Sequence, residues 1–270
     1  MSDSATSRPD ASDAADAAGT VWERLARAGF VALGVLHLLI GFAIVRIAVG
    51  SSSGQDADQQ GALRQLAQAP LGAILLWVIA VAFLALAAWK IAAAFGSGAD
   101  AKETVKSLGN GVVYLALAFL AASIVLGAGG GSGDSSAQGF AGTLMQAPAG
   151  RVLVGGIGVG VLAAGVWHVI KGARQTFLED LRAAPGGELG RGVRILGTVG
   201  YVAKGLALAV IGVLFAVAAW QADPDEAQGL DGAISSLRDL PGGPIIVAAV
   251  GVGFAAYGLY AFARARYARL

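Results

Sequence analysis

One pattern occurs three times in the chain, and it constrains the fold more than any other feature. A glycine and a proline nine residues apart recur as Gly61 and Pro70, Gly139 and Pro148, and Gly232 and Pro241. Each copy adds a leucine four residues before the proline, a glycine two after it and a large aromatic residue nineteen after it. A repeat of this kind sets the architecture, so the sequence predicts three copies of one structural unit.

Two long apolar stretches belong to each copy. The chain is 56% hydrophobic and only 14% charged, against about 25% charged residues in soluble proteins. A bilayer core of roughly 30 Å needs about 20 apolar residues in helical form. The sequence therefore predicts an all-α integral membrane protein with six transmembrane helices in three tandem helical hairpins. The six stretches are Ala28–Val49, Leu71–Phe95, Leu108–Leu126, Val152–Ile170, Leu196–Trp220 and Ile245–Phe262.

The register of the copies predicts how the hairpins are arranged. The first and third copies superpose without a gap at an offset of 171 residues, which pairs Gly34 with Gly205 and Gly41 with Gly212. Parallel repeats of this sort are related by an axis along the membrane normal, so we expect pseudo-threefold symmetry. Within each hairpin, a short amphipathic segment such as 62–69 predicts a helix at the membrane surface.

The domain boundaries follow from where the polar residues lie. Residues 1–20 are rich in Asp, Ala and Ser and have no periodicity, which predicts a disordered cytoplasmic tail. That segment lacks the basic start and apolar core of a signal peptide. Residues 21–270 are predicted to form a single six-helix membrane domain, with repeats at about 25–96, 105–177 and 194–267.

Lysine and arginine are distributed unequally between the two membrane faces. Thirteen of them flank one face, and only Arg46, Arg64, Arg151 and Arg238 flank the other. Cytoplasmic loops carry the excess of Lys and Arg, so both termini are predicted to be cytoplasmic. The abundance of Ala, Gly, Arg and Val is typical of a GC-rich bacterial genome, which predicts a multi-pass protein of the bacterial inner membrane.

A few polar side chains lie inside the apolar stretches, where they are the default functional candidates. The repeat register aligns Leu33, Asn110 and Lys204, and aligns His37 with Tyr114 four residues further on. Positions four apart share a helix face. These positions predict a polar axis formed by His37, Asn110, Tyr114 and Lys204. The alternative is that Lys204 snorkels to the surface, Tyr114 packs and His37 bonds a carbonyl.

A second candidate set lies at the cytoplasmic ends of the second helices. The repeated aromatic residue and the polar residue after it predict an inner interfacial ring, in which aromatic side chains are favoured. The alternative function of such a ring is simple anchoring in the membrane. Its members are Trp89, Lys90, Trp167, His168 and Tyr260.

The sequence lacks the residues that several kinds of chemistry require. The chain has no cysteine, and no Asp or Glu falls inside the six stretches. This excludes thiol chemistry and disfavours ion-coupled transport, which uses buried carboxylates. The two histidines differ in depth by roughly 10 Å along the helices, too far apart to share a haem. We predict no catalytic residue, cofactor or metal. Gly156, Gly158 and Gly160 match a dinucleotide loop only by chance, since they lie inside an apolar stretch. Gly156 and Gly160 instead predict a surface for close helix contact.

Three sequence segments carry a family resemblance. They are LARAGFVALGVLHLLIG from Leu25, QQGALRQLAQAPLG from Gln59 and VGYVAKGLALAVIG from Val199. With LGNGVVYLALA from Leu108, they are similar to the family called domain of unknown function 1206, and the resemblance covers all three repeats. It implies a six-helix membrane protein of the kind found in actinobacteria. It implies no activity or substrate.

Three functions are compatible with these features. Sparse buried polarity and abundant small residues favour a non-enzymatic accessory or scaffold subunit of a cell-envelope or respiratory membrane complex. The alternative is a channel or facilitator for a small solute along the pseudo-threefold axis, and the less favoured one is a lipid- or quinone-handling membrane enzyme. The expected partners are the lipid bilayer and another membrane protein. The net charge of +1 and the absence of a basic patch exclude nucleic acid.

Overall fold

The computed structural model describes residues 11–50, 59–68, 72–95, 101–127, 132–182 and 186–269. Six helices are long and apolar enough to cross a membrane, so the chain is a multi-pass membrane protein and the predicted all-α fold is confirmed. Within the described residues, extended pairing is confined to one isolated bridge between Leu181 and Ala268. The helices are α1 Ala11–Ala48, α2 Gln59–Gln68, α3 Gly72–Ala94, α4 Ala101–Val125, α5 Gly133–Met145, α6 Gly150–Ala173, α7 Gly187–Gln221, α8 Leu230–Arg238 and α9 Gly243–Tyr267.

The start of α1 corrects one prediction. The helix begins at Ala11, inside the segment 1–20 that was predicted to be disordered, while residues 1–10 lie outside the described part. Five of the eight residues from 11 to 18 are alanine, the strongest helix former. A polar but alanine-rich segment can therefore extend a helix whose apolar part is already formed, since adding residues to an existing helix costs less than nucleating one.

The short helices α2, α5 and α8 each precede the second membrane helix of a repeat. The glycine that follows the repeated proline begins that helix, and its missing side chain is required there. A Cβ on Gly72 or Gly150 would collide with the carbonyl oxygen of Leu66 or Leu144, and a Cβ on Gly243 would collide with that of Arg238. The repeated glycine therefore lets the backbone of each short helix lie directly against the next membrane helix.

The closest helix packing runs between repeats rather than within them. The second membrane helix of each repeat pairs with the first of the next: α3 with α4, α6 with α7, and α9 with α1. In the α9/α1 pair, Gly251 and Gly258 face Gly41 and Gly34, and a Cβ on Gly41 would lie 2.7 Å from the oxygen of Gly251. The three pairs follow one another around the bundle, in the order that pseudo-threefold symmetry predicts.

The same contact recurs in α6/α7, where Gly165 faces Gly205 and Gly158 faces Gly212. Small residues at such sites let membrane helices approach closely. Gly156 and Gly160, which are predicted to form a surface for close helix contact, face open space. They lie on the side of α6 away from α7, because residues two positions apart point to different sides of a helix.

The bundle is open at one place, between α4 and α6 of the second repeat. The helices of repeat 1 pack together at Gly29 and Leu86, and those of repeat 3 at Gly200 and Tyr257. The residue equivalent to these two glycines in repeat 2 is Lys106, which is exposed. Repeat 2 thus lacks the glycine at which the helices of the other two hairpins pack together. We call this gap the α4/α6 joint.

Burial along the helices reflects the open joint. Only 17% of the α4 span and 17% of the α6 span are buried, against 61% for α1 and 56% for α9. Gly109 on α4 and Gly160 on α6 have no atom near the position of a Cβ. Their equivalents in repeat 3, Ala203 and Gly253, are in direct contact. The α4/α6 joint therefore has small residues, Gly109 and Gly160, at the positions where repeat 3 makes a helix contact, but α4 and α6 do not touch there.

Candidate functional site

His37 on α1 and Lys204 on α7 meet inside the bundle. The Nδ1 atom of His37 lies 2.8 Å from the carbonyl oxygen of Leu33, and a carbonyl only accepts, so Nδ1 carries the proton. The other ring nitrogen, Nε2, is then an acceptor, and the ammonium of Lys204 lies 3.4 Å from it. The backbone bond thus selects the histidine tautomer that can accept a hydrogen bond from the lysine.

Aromatic rings enclose this pair. The Tyr257 ring lies 4.6 Å from the His37 ring and 4.5 Å from the Lys204 ammonium, and Phe254 stacks on His37 at 5.9 Å. A cation over an aromatic face is attracted by the ring quadrupole. In the part of the chain that the structure describes, Lys204 forms no ion pair with a carboxylate. The ring and the imidazole therefore stabilise the ammonium without cancelling its charge.

We call the end of the bundle where α4 and α7 begin the basic end, because most of the lysines and arginines lie there. A turn of 3-10 helix, Thr176–Asp180, enters the bundle at this end and buries Phe177 completely. The Phe177 ring packs against Tyr201 at 5.3 Å and against Tyr260 at 5.2 Å. A Cβ on Gly197 would collide with the same ring. We call residues 176–182 the plug.

Charged groups hold the plug in place. The carboxylate of Asp180 lies 2.8 Å from the ammonium of Lys171 and 3.7 Å from the guanidinium of Arg264. The hydroxyl of Tyr260 donates to the carbonyl of Phe177 at 3.2 Å. Lys171 is itself buried, so its charge depends on Asp180 for compensation.

A second tie joins the plug to the start of the membrane part of α1. Glu23 accepts from Arg27 at 2.6 Å and lies 3.4 Å from Arg182. The hydrogen bond from the Arg27 guanidinium lowers the pKa of Glu23, so its carboxylate stays ionised at neutral pH. The basic end is thus closed by α1, the plug and the end of α9.

The structure brings together two of the four residues of the predicted polar axis. His37 and Lys204 are in contact, as described above. Tyr114 is half-buried on α4 and stacks on Phe83 of α3 at 6.3 Å. Asn110 is exposed on α4 and makes no hydrogen bond with any described residue. The axis is therefore polar on one side, at α1 and α7, and exposed on the other, at α4.

The residues of the predicted inner interfacial ring also lie in different surroundings, some at the surface of the bundle and one inside it. Lys90 lies 4.1 Å from the Trp89 ring, and His168 meets Trp167 edge-on at 5.2 Å. Tyr260, by contrast, lies inside the bundle with no exposed surface. The two tryptophans are thus placed to anchor helices, while Tyr260 supports the plug.

Several residues that surround the pair of His37 and Lys204, or that hold the plug, were not among the candidates from the sequence. Tyr201 and Tyr257 lie inside apolar stretches, and their hydroxyl groups were the available signal. Arg264 was assigned to a loop because α9 was expected to end at Phe262, whereas it continues to Tyr267. Asp180 had no signal, since the linker that carries it has no counterpart in the other repeats.

A cavity of 710 Å³ lies at the opposite end of the bundle, between α6 and the end of α7. Its one charged lining residue, Arg151, donates to the carbonyl oxygens of Ala219 and Trp220 at 3.0 to 3.2 Å. These are the last carbonyls of α7, which lack helical partners. Arg151 therefore caps the end of α7, and the cavity contributes no side chain to the pair formed by His37 and Lys204.

Comparison with known proteins places the repeats in one family. Residues 28–97, 105–175 and 199–268 each match the family model described as Domain of Unknown Function (DUF1206). The chain is also 28% identical over 253 residues to a protein of Bacillus subtilis (strain 168) described as uncharacterized protein YxxB, a match that covers 91% of this chain and 90% of that protein. No solved structure matches the chain. The resemblance drawn from the repeated motifs is confirmed.

Proposed function

The chain belongs to the family Domain of Unknown Function (DUF1206), and we propose that it is a non-enzymatic accessory or scaffold subunit of a membrane complex. In this proposal it holds a membrane helix of its partner at the α4/α6 joint. The observation that carries the proposal is that Gly109 and Gly160 face open space where the other repeats make a helix contact. We place the protein in a bacterial inner membrane with the basic end in the cytoplasm, as the distribution of Lys and Arg supports.

The surface of the joint favours a helix as its occupant. Gly156 and Gly160 are one turn apart on α6, and both are exposed without a neighbour. Such small-xxx-small surfaces allow another helix backbone to approach closely. The flanking side chains are apolar and exposed, including Val159 on α6 and Phe119 on α4. The side chains of an occupant helix that meet these residues are therefore expected to be apolar.

A solute path along the axis has less support. Tyr257 and Phe254 enclose the pair formed by His37 and Lys204, and His37 is only 4% exposed. At the basic end, Phe177 is fully buried among aromatic rings. A permeating solute would have to displace both groups of side chains. The path along the axis is therefore interpreted as closed by these side chains.

Site-specific crosslinking tests the proposal, because the chain has no cysteine of its own. Gly160→Cys, which faces the joint, is labelled with a photo-reactive crosslinker in the membranes of the cells that make the protein. The matched control is Leu84→Cys, on an exposed face of α3. We expect one discrete product, heavier than the protein and different from its dimer, at position 160 and not at position 84.

Lys106→Gly provides a second arm, since it restores the glycine that lets the other hairpins close. This variant is expected to reduce crosslinking at position 160. Equal products at positions 84 and 160, a product containing two copies of this chain, or no product at all would each contradict the proposal.

A further inference from the structure

We infer that the partner helix at the α4/α6 joint carries a carboxylate, an Asp or Glu side chain, that pairs with Lys204. The inference rests on the proposed function, since it names the chemistry of the helix that the joint receives. It begins from the charge of Lys204, which is placed inside a membrane span. Its ammonium meets the imidazole of His37 and the ring of Tyr257, and it forms no ion pair with a carboxylate among the described residues.

Comparison of equivalent positions indicates that Lys204 can be reached through the joint. Leu33, Asn110 and Lys204 occupy the same position in the three repeats and therefore point toward the same axis. Leu33 is buried, Lys204 is partly exposed and Asn110 is fully exposed. The interior is thus closed on the side of α1 and open on the side of α4, at the depth of the lysine.

The second helix of repeat 2 shows the same opening. Ala164 and His168 on α6 are only half-buried, whereas Tyr257 and Ala261, their respective equivalents on α9, are buried. His168 also bonds the carbonyl of Ala164 through Nδ1 at 2.8 Å, which leaves Nε2 as an acceptor. The opening therefore leads to an unpaired cation and to an exposed amide, at Asn110, that can donate to a carboxylate.

Depth distinguishes a side-chain carboxylate from a lipid phosphate. Lys204 lies about 12 Å into the membrane span, counting from Leu196 at the helical rise. A phospholipid head group would have to be drawn that far from the membrane surface, at the cost of its own hydration. A carboxylate on a membrane helix reaches this depth by its position in the sequence, and opposite charges within membranes pair with one another.

Synthetic membrane helices test the inference in liposomes that contain the purified protein. The probes are two leucine- and alanine-rich peptides of about 20 residues, identical except for one Asp or Asn at the depth of Lys204. Energy transfer from a fluorophore on Leu84→Cys, which leaves the glycines of the joint unmodified, to the labelled peptide reports association. We expect the Asp peptide to bind about tenfold more tightly than the Asn peptide, corresponding to one charge pair in the membrane.

Variants of the lysine identify the residue responsible. Lys204→Met should remove the preference for the Asp peptide, and Lys204→Arg should keep it. Lys90→Met, which removes a lysine near the membrane end of α3, should leave the preference unchanged. A retained preference in Lys204→Met would overturn the inference.

The remaining outcomes separate the inference from the proposed function. If both peptides bind equally, the joint accepts a helix and the acidic partner is refuted. If neither peptide binds, and palmitate binds in a manner that depends on Lys204, the site takes a lipid carboxylate and the inference is also refuted. Crosslinking at position 160 in native membranes remains an independent measure of the joint.

Discussion

Replacing Gly165 by alanine tests whether glycine contacts hold the bundle together. A Cβ at this position would lie 2.6 Å from the backbone nitrogen of Ala209, and ordinary contact begins at 3.4 Å. Helices α6 and α7 would therefore have to separate by about 0.8 Å, the difference between these distances. Backbone cannot rotate away as a side chain can, so the strain spreads along the whole helix pair.

The expected cost follows from two opposing terms. Overpacking of a close contact costs about 1–3 kcal/mol, whereas alanine in place of glycine within a helix gains up to about 1 kcal/mol. Gly156→Ala provides the matched control, because it lies on the same helix and faces open space. We expect Gly165→Ala to be about 2 kcal/mol less stable than Gly156→Ala, which corresponds to melting temperatures roughly 4–8 °C apart.

Thermal unfolding of the detergent-solubilised protein, followed by gel-filtration of the remaining native fraction, measures this difference. Gly156→Ala should melt at or slightly above the temperature of the unmodified chain. Equal melting temperatures for the two variants would refute the argument that the α6/α7 contact is set by the backbone approach at glycine.

The other predictions concern the plug, its ion pair and the topology. Gly197→Ala should displace the Phe177 ring and destabilise the protein by about 1–3 kcal/mol, whereas Gly192→Ala, which has open space, should be neutral in the same melting assay. Asp180→Asn should cost about 2 kcal/mol because it leaves the buried Lys171 without its carboxylate; Glu179→Gln, on the exposed side of the same turn, should cost less than about 0.5 kcal/mol. In intact cells, an impermeant thiol reagent should label Thr143→Cys on α5 and leave Glu188→Cys unlabelled, and the reverse pattern would contradict the predicted orientation.

The features that could be predicted from the sequence were those that depend on a single segment. Apolar length identified six membrane spans, because bilayer thickness sets that length independently of neighbouring helices. The repeated glycines at the start of α3, α6 and α9 were recognised by their spacing, and the structure supplies the reason for them. Both members of the polar pair, His37 and Lys204, were chosen by their position inside apolar stretches, whereas the other half of the predicted axis, Asn110 and Tyr114, does not join them.

The features that could not be predicted depend on contacts between segments. Packing of helices within hairpins and packing of helices between repeats would both bury the repeated glycines. The sequence pattern therefore could not show which of the two arrangements is closer. The open joint did have a signal, because Lys106 stands where Gly29 and Gly200 stand in the other repeats. That signal acquires a meaning only once those glycines are known to contact the second helix of their own hairpin.

The most direct test of the account is to compare disulfide formation at two equivalent positions. The pair Gly109→Cys and Gly160→Cys spans the α4/α6 joint, and the pair Ala203→Cys and Gly253→Cys spans the closed contact of repeat 3. A disulfide needs Cβ atoms about 3.8 Å apart. The Cβ atoms of the repeat 3 pair lie closer together than this, so a small separation of α7 and α9 brings them to that distance. In the purified protein under mild oxidation, we predict rapid crosslinking of the repeat 3 pair and little crosslinking across the joint. Equal rates for the two pairs would show that the second hairpin closes like the others, and would contradict the account.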